Sequence, residues 1–317
     1  MAEEPVDRRG LFRDLFRQAT DAIVPVVGAR LEPFIGAPAA PAAPAASVEQ
    51  LLLAAGRLGL EARCAAIERL ARRSLRLAPA VGAPTGELQF GGLPLMAEDQ
   101  EWPTWQGRQL TFLAQVEAGE GLGRLLFFYD VLGRPSGCLA AHRGSARVLR
   151  ADAQRLLPVD GPALPPAAMG GRATVELVIP SSASAAVGRL ELSETERDAW
   201  ELLRGELAAL QGAEPPQRPG AVFRPAHRIL GYADAPDGEM ELTCELAAAG
   251  EDVIEGRAHL SPKAGELVDR AGRWQLLAQF SGDGKLGWPW VAQRVHFWVD
   301  RAALAAGELE PVWAIAR

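Results

Sequence analysis

Two stretches of this chain repeat each other, and that repeat limits the available folds more than any single motif does. Leu113-Ala-Gln115-Val116 is followed by Leu126-Phe-Phe-Tyr-Asp130, and Leu277-Ala-Gln279-Phe280 is followed by Val295-His-Phe-Trp-Val-Asp300. Each copy reads as a strand ending in Leu-Ala-Gln, a glycine-rich turn, an aromatic strand and a terminal aspartate. This predicts an α+β body built from two related antiparallel β-rich halves, 82–171 and 172–317, with flanking helices. Strands are expected over 110–116, 123–129, 146–151, 174–179, 239–245, 274–280 and 294–299. Capping boxes at Ser47-Val-Glu-Gln50 and Ser193-Glu-Thr-Glu196 open helices. The second of these carries Leu202, Leu203, Leu207 and Leu210. A further helix is expected from Leu60 to about Leu77, with Ile67, Leu70 and Leu75 on one face, so that the lead-in 47–81 reads as helical.

The chain before this body has another texture. Leu11, Phe12, Leu15, Phe16, Ala19, Ile23, Val26, Val27 and Leu31 recur at helical spacing opposite arginines and aspartates, which predicts an amphipathic helix within 1–35. Pro25 kinks it by removing a backbone donor. Proline at every third position of 36–46 predicts an extended, semi-rigid linker that packs no core. The apolar stripe has three possible covers: its own domain, a groove on a partner protein, or a membrane surface favoured by Arg8, Arg9, Arg13 and Arg17. The tether favours the partner, contacted through Leu11, Phe12, Leu15, Phe16, Ile23 and Val27. An export signal does not fit, because Asp14, Arg17, Asp21 and Arg30 interrupt the stretch that should be uncharged.

Charge narrows the partners. Forty acidic residues against thirty-three basic ones give a net charge of −7, the reverse of a nucleic-acid binder. No apolar run reaches membrane-spanning length. Three scattered cysteines, Cys64, Cys138 and Cys244, exclude a disulfide framework and fit a reducing, cytoplasmic setting.

Catalytic signatures are sparse. Cys138 and His142 are four apart but have no second ligand pair nearby, so no metal is expected. There is no Gly-x-Ser-x-Gly motif or Walker loop, and no cofactor is implied. Cys244, in an expected strand, reads as a small buried hydrophobe. His296, in an aromatic strand, reads as a structural histidine. Asp130 and Asp300 close equivalent strands. They are either turn formers, the favoured reading, or a carboxylate pair facing across an inter-repeat cleft. Gln115 and Gln279 either pin the hairpins, the favoured reading, or line that cleft together with His227. Trp102, Trp105, Trp288 and Trp290 flank prolines in expected loops, and Trp288 and Trp290 are the preferred interface candidates on the body.

Several short motifs in order resemble the YwqG-like bacterial proteins of unknown function. They include Gly91-Gly-Leu-Pro94, Trp102-Pro103, Leu113-Ala-Gln115, Phe127-Phe128, His227-Arg-Ile-Leu-Gly-Tyr232, Gly238-Glu-Met240, Cys244, Trp274-Gln-Leu-Leu-Ala-Gln279, Phe297-Trp298 and Val312-Trp313. The resemblance covers about residues 60–317 and implies an α+β fold without a settled activity. The chain departs from the family pattern at Asp237, at Trp288-Pro-Trp290 and at Arg317, where polar family residues are replaced. The primary expectation is therefore a non-enzymatic accessory or adaptor protein docked through its N-terminal helix. The alternatives are a small-molecule-binding protein or hydrolase using the inter-repeat cleft, and a peripheral membrane protein.

Overall fold

The structure is a computed structural model. It describes residues 46–80, 87–119, 121–151, 156–162, 164, 168–216, 224–234, 239–288 and 293–317. The expected N-terminal helix, the expected linker up to residue 45, Trp290 and Asp237 lie outside the described residues.

Ser47 opens α1 (Val48–Arg57) by accepting the Gln50 backbone N–H while the Gln50 side chain accepts from Ser47 N, which satisfies two donors that a helix start otherwise leaves bare. A turn at Gly59 (φ 76°) leads to α2 (Cys64–Leu70). The expected helix to Leu77 stops there, and the chain continues as β1 (Arg72–Pro79). The reason is a change of period. Leu75 and Leu77 face the core two residues apart, whereas Arg76 between them faces outward, an alternation that only a strand can use.

The first repeat follows as β2 (Leu88–Phe90), β3 (Leu95–Ala97), a small hairpin of β4 (Thr104–Trp105) and β5 (Arg108–Gln109), then β6 (Thr111–Glu117), β7 (Arg124–Tyr129), β8 (Ala146–Arg150) and β9 (Leu156–Pro158). β10 (Gly171–Val178) leads to α3 (Ala185–Gly188) and to α4 (Glu194–Leu210), which the Ser193 capping box opens. The second repeat holds β11 (His227–Leu230), α5 (Met240–Ala248), α6 (Ala264–Ala271), β12 (Trp274–Ser281), β13 (Arg294–Asp300), α7 (Arg301–Ala305) and β14 (Val312–Ala316).

The strand expected at 239–245 is the helix α5. Met240, Cys244 and Ala247 recur at helical spacing and pack on Trp274, Leu276, Trp298 and Trp313. Leu242 and Leu246 pack on the other side against Val253 and Leu267. A helix apolar on two sides gives a short continuous apolar run, which periodicity does not separate from a buried strand.

The two repeats are the same four-stranded unit. One sheet has the order β2-β6-β7-β8, and the other ends in β11-β12-β13-β14, extended by β1 and β10 into six strands. All these pairings are antiparallel. Both central hairpins carry a register shift at the leucine of Leu-Ala-Gln, between Phe112 and Ala114 in one and between Leu276 and Ala278 in the other. Beyond it, Ala114 pairs with Phe127 and Ala278 with Phe297. The sheets share one core, in which the Phe127 ring meets Phe280 at 5.0 Å and its counterpart Phe297 at 5.3 Å, both edge-on. A second cluster, with Leu51, Trp200 and Leu203, joins α1 and α4 to the β10 end. Among the described residues no helix is long and apolar enough to cross a membrane.

Candidate ligand cavity

The outward face of the six-stranded sheet carries an unusual row. Arg76 lies opposite Arg228, Arg228 opposite Gln279, and Gln279 opposite His296. Directly paired residues share a face, so one polar line crosses β1, β11, β12 and β13. Glu176 pairs with Ser74, two residues from Arg76, and Arg294 is two residues from His296, which puts both on the same face. Their sequence neighbours Leu75, Ile229, Ala278, Val295 and Phe297 point the other way, into the core.

Asp234, just past β11, is fixed from three directions. Its N–H donates to Gln279 Oε1 (2.9 Å), and its Oδ2 accepts from Gln279 Nε2 and from Arg228 Nη2, each at 3.2 Å. Gln279 Nε2 also donates to Ala226 O (3.0 Å), and Arg228 Nη1 donates to Tyr232 O (3.1 Å). Burial pushes the Asp234 carboxyl up, but Arg228 first and then Arg294 and Gln279 outweigh it and hold it below the usual carboxylate range. Glu176 has the opposite balance. Its Oε2 lies 3.4 Å from Arg76 Nε, its Oε1 has no hydrogen-bond partner among the described residues, and burial raises its pKa against the pull of Arg228 and Arg76.

Above this floor lies a cavity of about 360 Å³, roofed by the last turns of α4 and by segments 213–216 and 224–226. Its size falls within the range of small-molecule sites. Arg204 enters from α4, paired with Glu201 at 2.6 Å, and Arg224 pairs with Glu214 at 3.3 Å. Gln211 closes one wall by bridging to Leu177 N and O, and its Oε1 also accepts the N–H of Ala46 (3.3 Å). The last residue of the Ala/Pro linker is therefore anchored beside the cavity. Among the described lining residues there is no serine, threonine or cysteine, and the one phenol, Tyr232, donates to Leu70 O (2.7 Å) while burial raises its pKa, which keeps it from acting as a nucleophile.

The residues singled out from the sequence are not brought together between the repeats, where that space is filled by phenylalanine rings. Gln115 is fully buried on the outward face of the first sheet and accepts Leu95 N (3.0 Å), while Gln279 is on the outward face of the other. The two sheets separate them. Asp130 takes Arg108 Nη2 (2.7 Å) and Gly133 N (3.1 Å), and Asp300 caps α7 through Ala302 N and Ala303 N. Both aspartates are strand-end turn formers. His227 borders the cavity, with its ring edge-on to Trp288 at 5.7 Å, and burial lowers its pKa against the pull of Asp283, 3.5 Å away.

Trp288 is 3% exposed and packs against Phe90 and Phe280. The expectation of a surface tryptophan there is corrected, because the chain after β12 folds back over the core. Cys138 is buried and His142 Nδ1 accepts Gly137 N (3.1 Å). Among the described residues no three histidine, cysteine or acidic side chains form a group fit to hold a metal ion. Cys244 is fully buried, which pushes its thiol well up, although it sits on a helix rather than a strand.

A family model described as a domain of unknown function, DUF1963, matches residues 89–316, well over half of the chain. The chain belongs to the DUF1963 family. The DUF1963 match takes in both repeats and most of the polar floor, from Glu176 to Arg294, but starts after Arg76 and after α1 and α2. One wall of the cavity is thus built from chain outside the DUF1963 match. A comparison with curated proteins gives no match.

Reading the sequence missed Arg76, Glu176, Asp234 and Arg294. The available signal was an arginine or glutamate at an outward strand position between two core residues, as in Leu75-Arg76-Leu77.

Proposed function

We propose that this protein works by binding a small molecule in the cavity between α4 and the six-stranded sheet, without transforming it. The supporting observation is the walled polar floor of Arg76, Glu176, Arg228, Asp234 and Arg294, with no serine, threonine or cysteine beside it among the described lining residues and the Tyr232 phenol tied to Leu70 O. Buried charges on a sheet face are costly unless paired or used, and water or ligand is needed to complete this set. Within DUF1963 we read the chain as YwqG-like on its ordered motifs, and we place it in a reducing cytoplasm on its scattered free cysteines.

The test is a thermal-shift screen of the full chain against a mixed panel of cationic, neutral and anionic metabolites, repeated on Ala208→Trp. Ala208 lines the cavity from α4, and an indole there fills it. At least one compound should raise the melting temperature of the parent and not of the variant. A panel that shifts neither protein defeats the reading.

A second reading, compatible with the first, is the accessory role. It is favoured by the anchoring of Ala46, where the linker ends, on Gln211 beside the cavity. Serine at Phe12, Leu15, Phe16 and Ile23 should abolish stoichiometric co-purification of a partner. Unchanged co-purification, or none with either protein, counts against docking through this segment.

A further inference from the structure

Two features of the cavity constrain the two ends of its ligand, given the binding role proposed above. The first is charge. Among the described lining residues six cations, on Arg76, Arg204, Arg224, Arg228, Lys285 and Arg294, stand against four carboxylates, on Glu176, Glu214, Asp234 and Asp283. Glu201 pairs with Arg204 from outside the lining, which leaves one positive charge in excess. Over a floor of buried side chains such a surplus acts on an anion more strongly than it would in bulk water.

The second feature is an acceptor. Glu176 is 4% exposed and lies on the lining, yet its Oε1 has no hydrogen-bond partner among the described residues. Asp234, the other acid on the floor, already spends its Oδ2 on Arg228 and Gln279. A buried acceptor without a donor is costly, and an O–H or N–H on the ligand supplies one. We infer that the cavity takes a small organic anion, a carboxylate or phosphate, that also carries a hydroxyl or amine donor. The guanidinium surplus holds the anionic group, and Glu176 Oε1 accepts from the donor.

Calorimetric titration of the full chain at low salt separates the parts of this inference. The probes are malate, succinate, glycerol 3-phosphate, inorganic phosphate and glycerol. Malate differs from succinate by one hydroxyl, and glycerol 3-phosphate carries hydroxyls that phosphate lacks. In one pair or both, the hydroxylated anion should bind about tenfold tighter than its partner, the effect of a hydrogen bond to a charged acceptor. Glycerol should not bind. The pair that shows the effect identifies the anion as carboxylate or phosphate. Glu176→Ala should bring the hydroxylated and plain anions of that pair to equal affinity, with the plain anion bound at least as tightly as before because one negative charge is gone from the site. The probe comparison on the unaltered chain stands even if that variant fails to fold.

Equal affinities within both pairs overturn the inference, as does tighter binding of glycerol or of a cationic panel compound. So does a screen in which only neutral compounds shift the protein. In those three cases the binding role survives. Only a panel with no binder at all removes both.

Discussion

The two repeats share strand order, pairing and register but differ in what they place around one glutamine. Gln115 and Gln279 sit at the same position, and each accepts an N–H six residues beyond its partner on the neighbouring strand, Leu95 beyond Gln89 in one and Asp234 beyond Arg228 in the other. The segments they hold begin alike, with two left-handed residues in succession, Gly91-Gly92 (φ 60° and 66°) and Leu230-Gly231 (φ 58° and 77°). Gly231 has no room for a side chain, since a Cβ there would lie 2.8 Å from Ser74 Cβ. The neighbours then diverge. Register places Gln89 where the second repeat has Arg228, Leu126 where it has His296, and Glu117 where it has Ser281. The arginine opposite that last position is common to both: Arg124 faces Glu117, whereas Arg294 faces Ser281 and lines the cavity. One scaffold thus carries an apolar, filled outward face with Phe112, Leu126 and Phe128, and elsewhere a polar, hollow one. The difference lies in three or four side chains on an unchanged backbone plan, which is how a site can be added to a fold without redesigning it.

Exchanging equivalent residues breaks or sharpens this contrast. The largest effect is expected at the glutamines. Gln279→Leu strips hydrogen bonds from Asp234 N, Asp234 Oδ2 and Ala226 O and should cost roughly 3 kcal/mol or more in chemical denaturation. Gln115→Leu loses one bond to Leu95 N and removes an amide N–H group that is itself unpartnered, so about 1 kcal/mol or less is expected. Equal costs would show that the second glutamine does not hold a site.

The next effect is in pH dependence. Burial first and Arg294 second lower the His296 pKa to about 3. The unfolded chain, with a histidine pKa of about 6.5, therefore takes up the proton first. The stability gained from burying a neutral ring is complete above that value and is lost as pH falls toward 3. His296→Leu, the residue of the first repeat, should flatten the acid limb of the stability curve by up to about 1.4 kcal/mol for each pH unit below 6.5. An unchanged slope would mean that His296 does not titrate with unfolding.

The smallest change is expected for Glu117→Ser, which gives the first repeat the serine of the second. The Glu117–Arg124 pair is 3.9 Å apart and partly exposed, so stability should move by about 0.5 kcal/mol or less. A larger loss would mean that this pair, too, is structural.

Much of the scaffold was legible along the chain, and the reason is local. Strand alternation, Leu-Ala-Gln followed by an aromatic strand, and serine caps three residues ahead of Gln50 or Glu196 are short-range signals that act before any tertiary contact forms. Reading failed where two periods compete. Leu70 and Leu75 fit one helix until the alternation of Leu75, Arg76 and Leu77 is weighed, and the apolar run of α5 fits a strand until its two packing partners are known. The aspartates closing β7 and β13 and the two glutamines were visible by type and spacing, but not the faces on which they sit.

The sequence by itself determined that the body is a twofold-repeated α+β unit with capped helices, because each of those features is written within about twenty consecutive residues. Only the tertiary structure decided where the polar cavity lies. Glu176, Arg76, Arg228 and Arg294 belong to four strands far apart in the chain, and strand order together with register sets them on one face under α4. A one-residue slip in any of those strands would bury a leucine's neighbour instead and remove that side chain from the site.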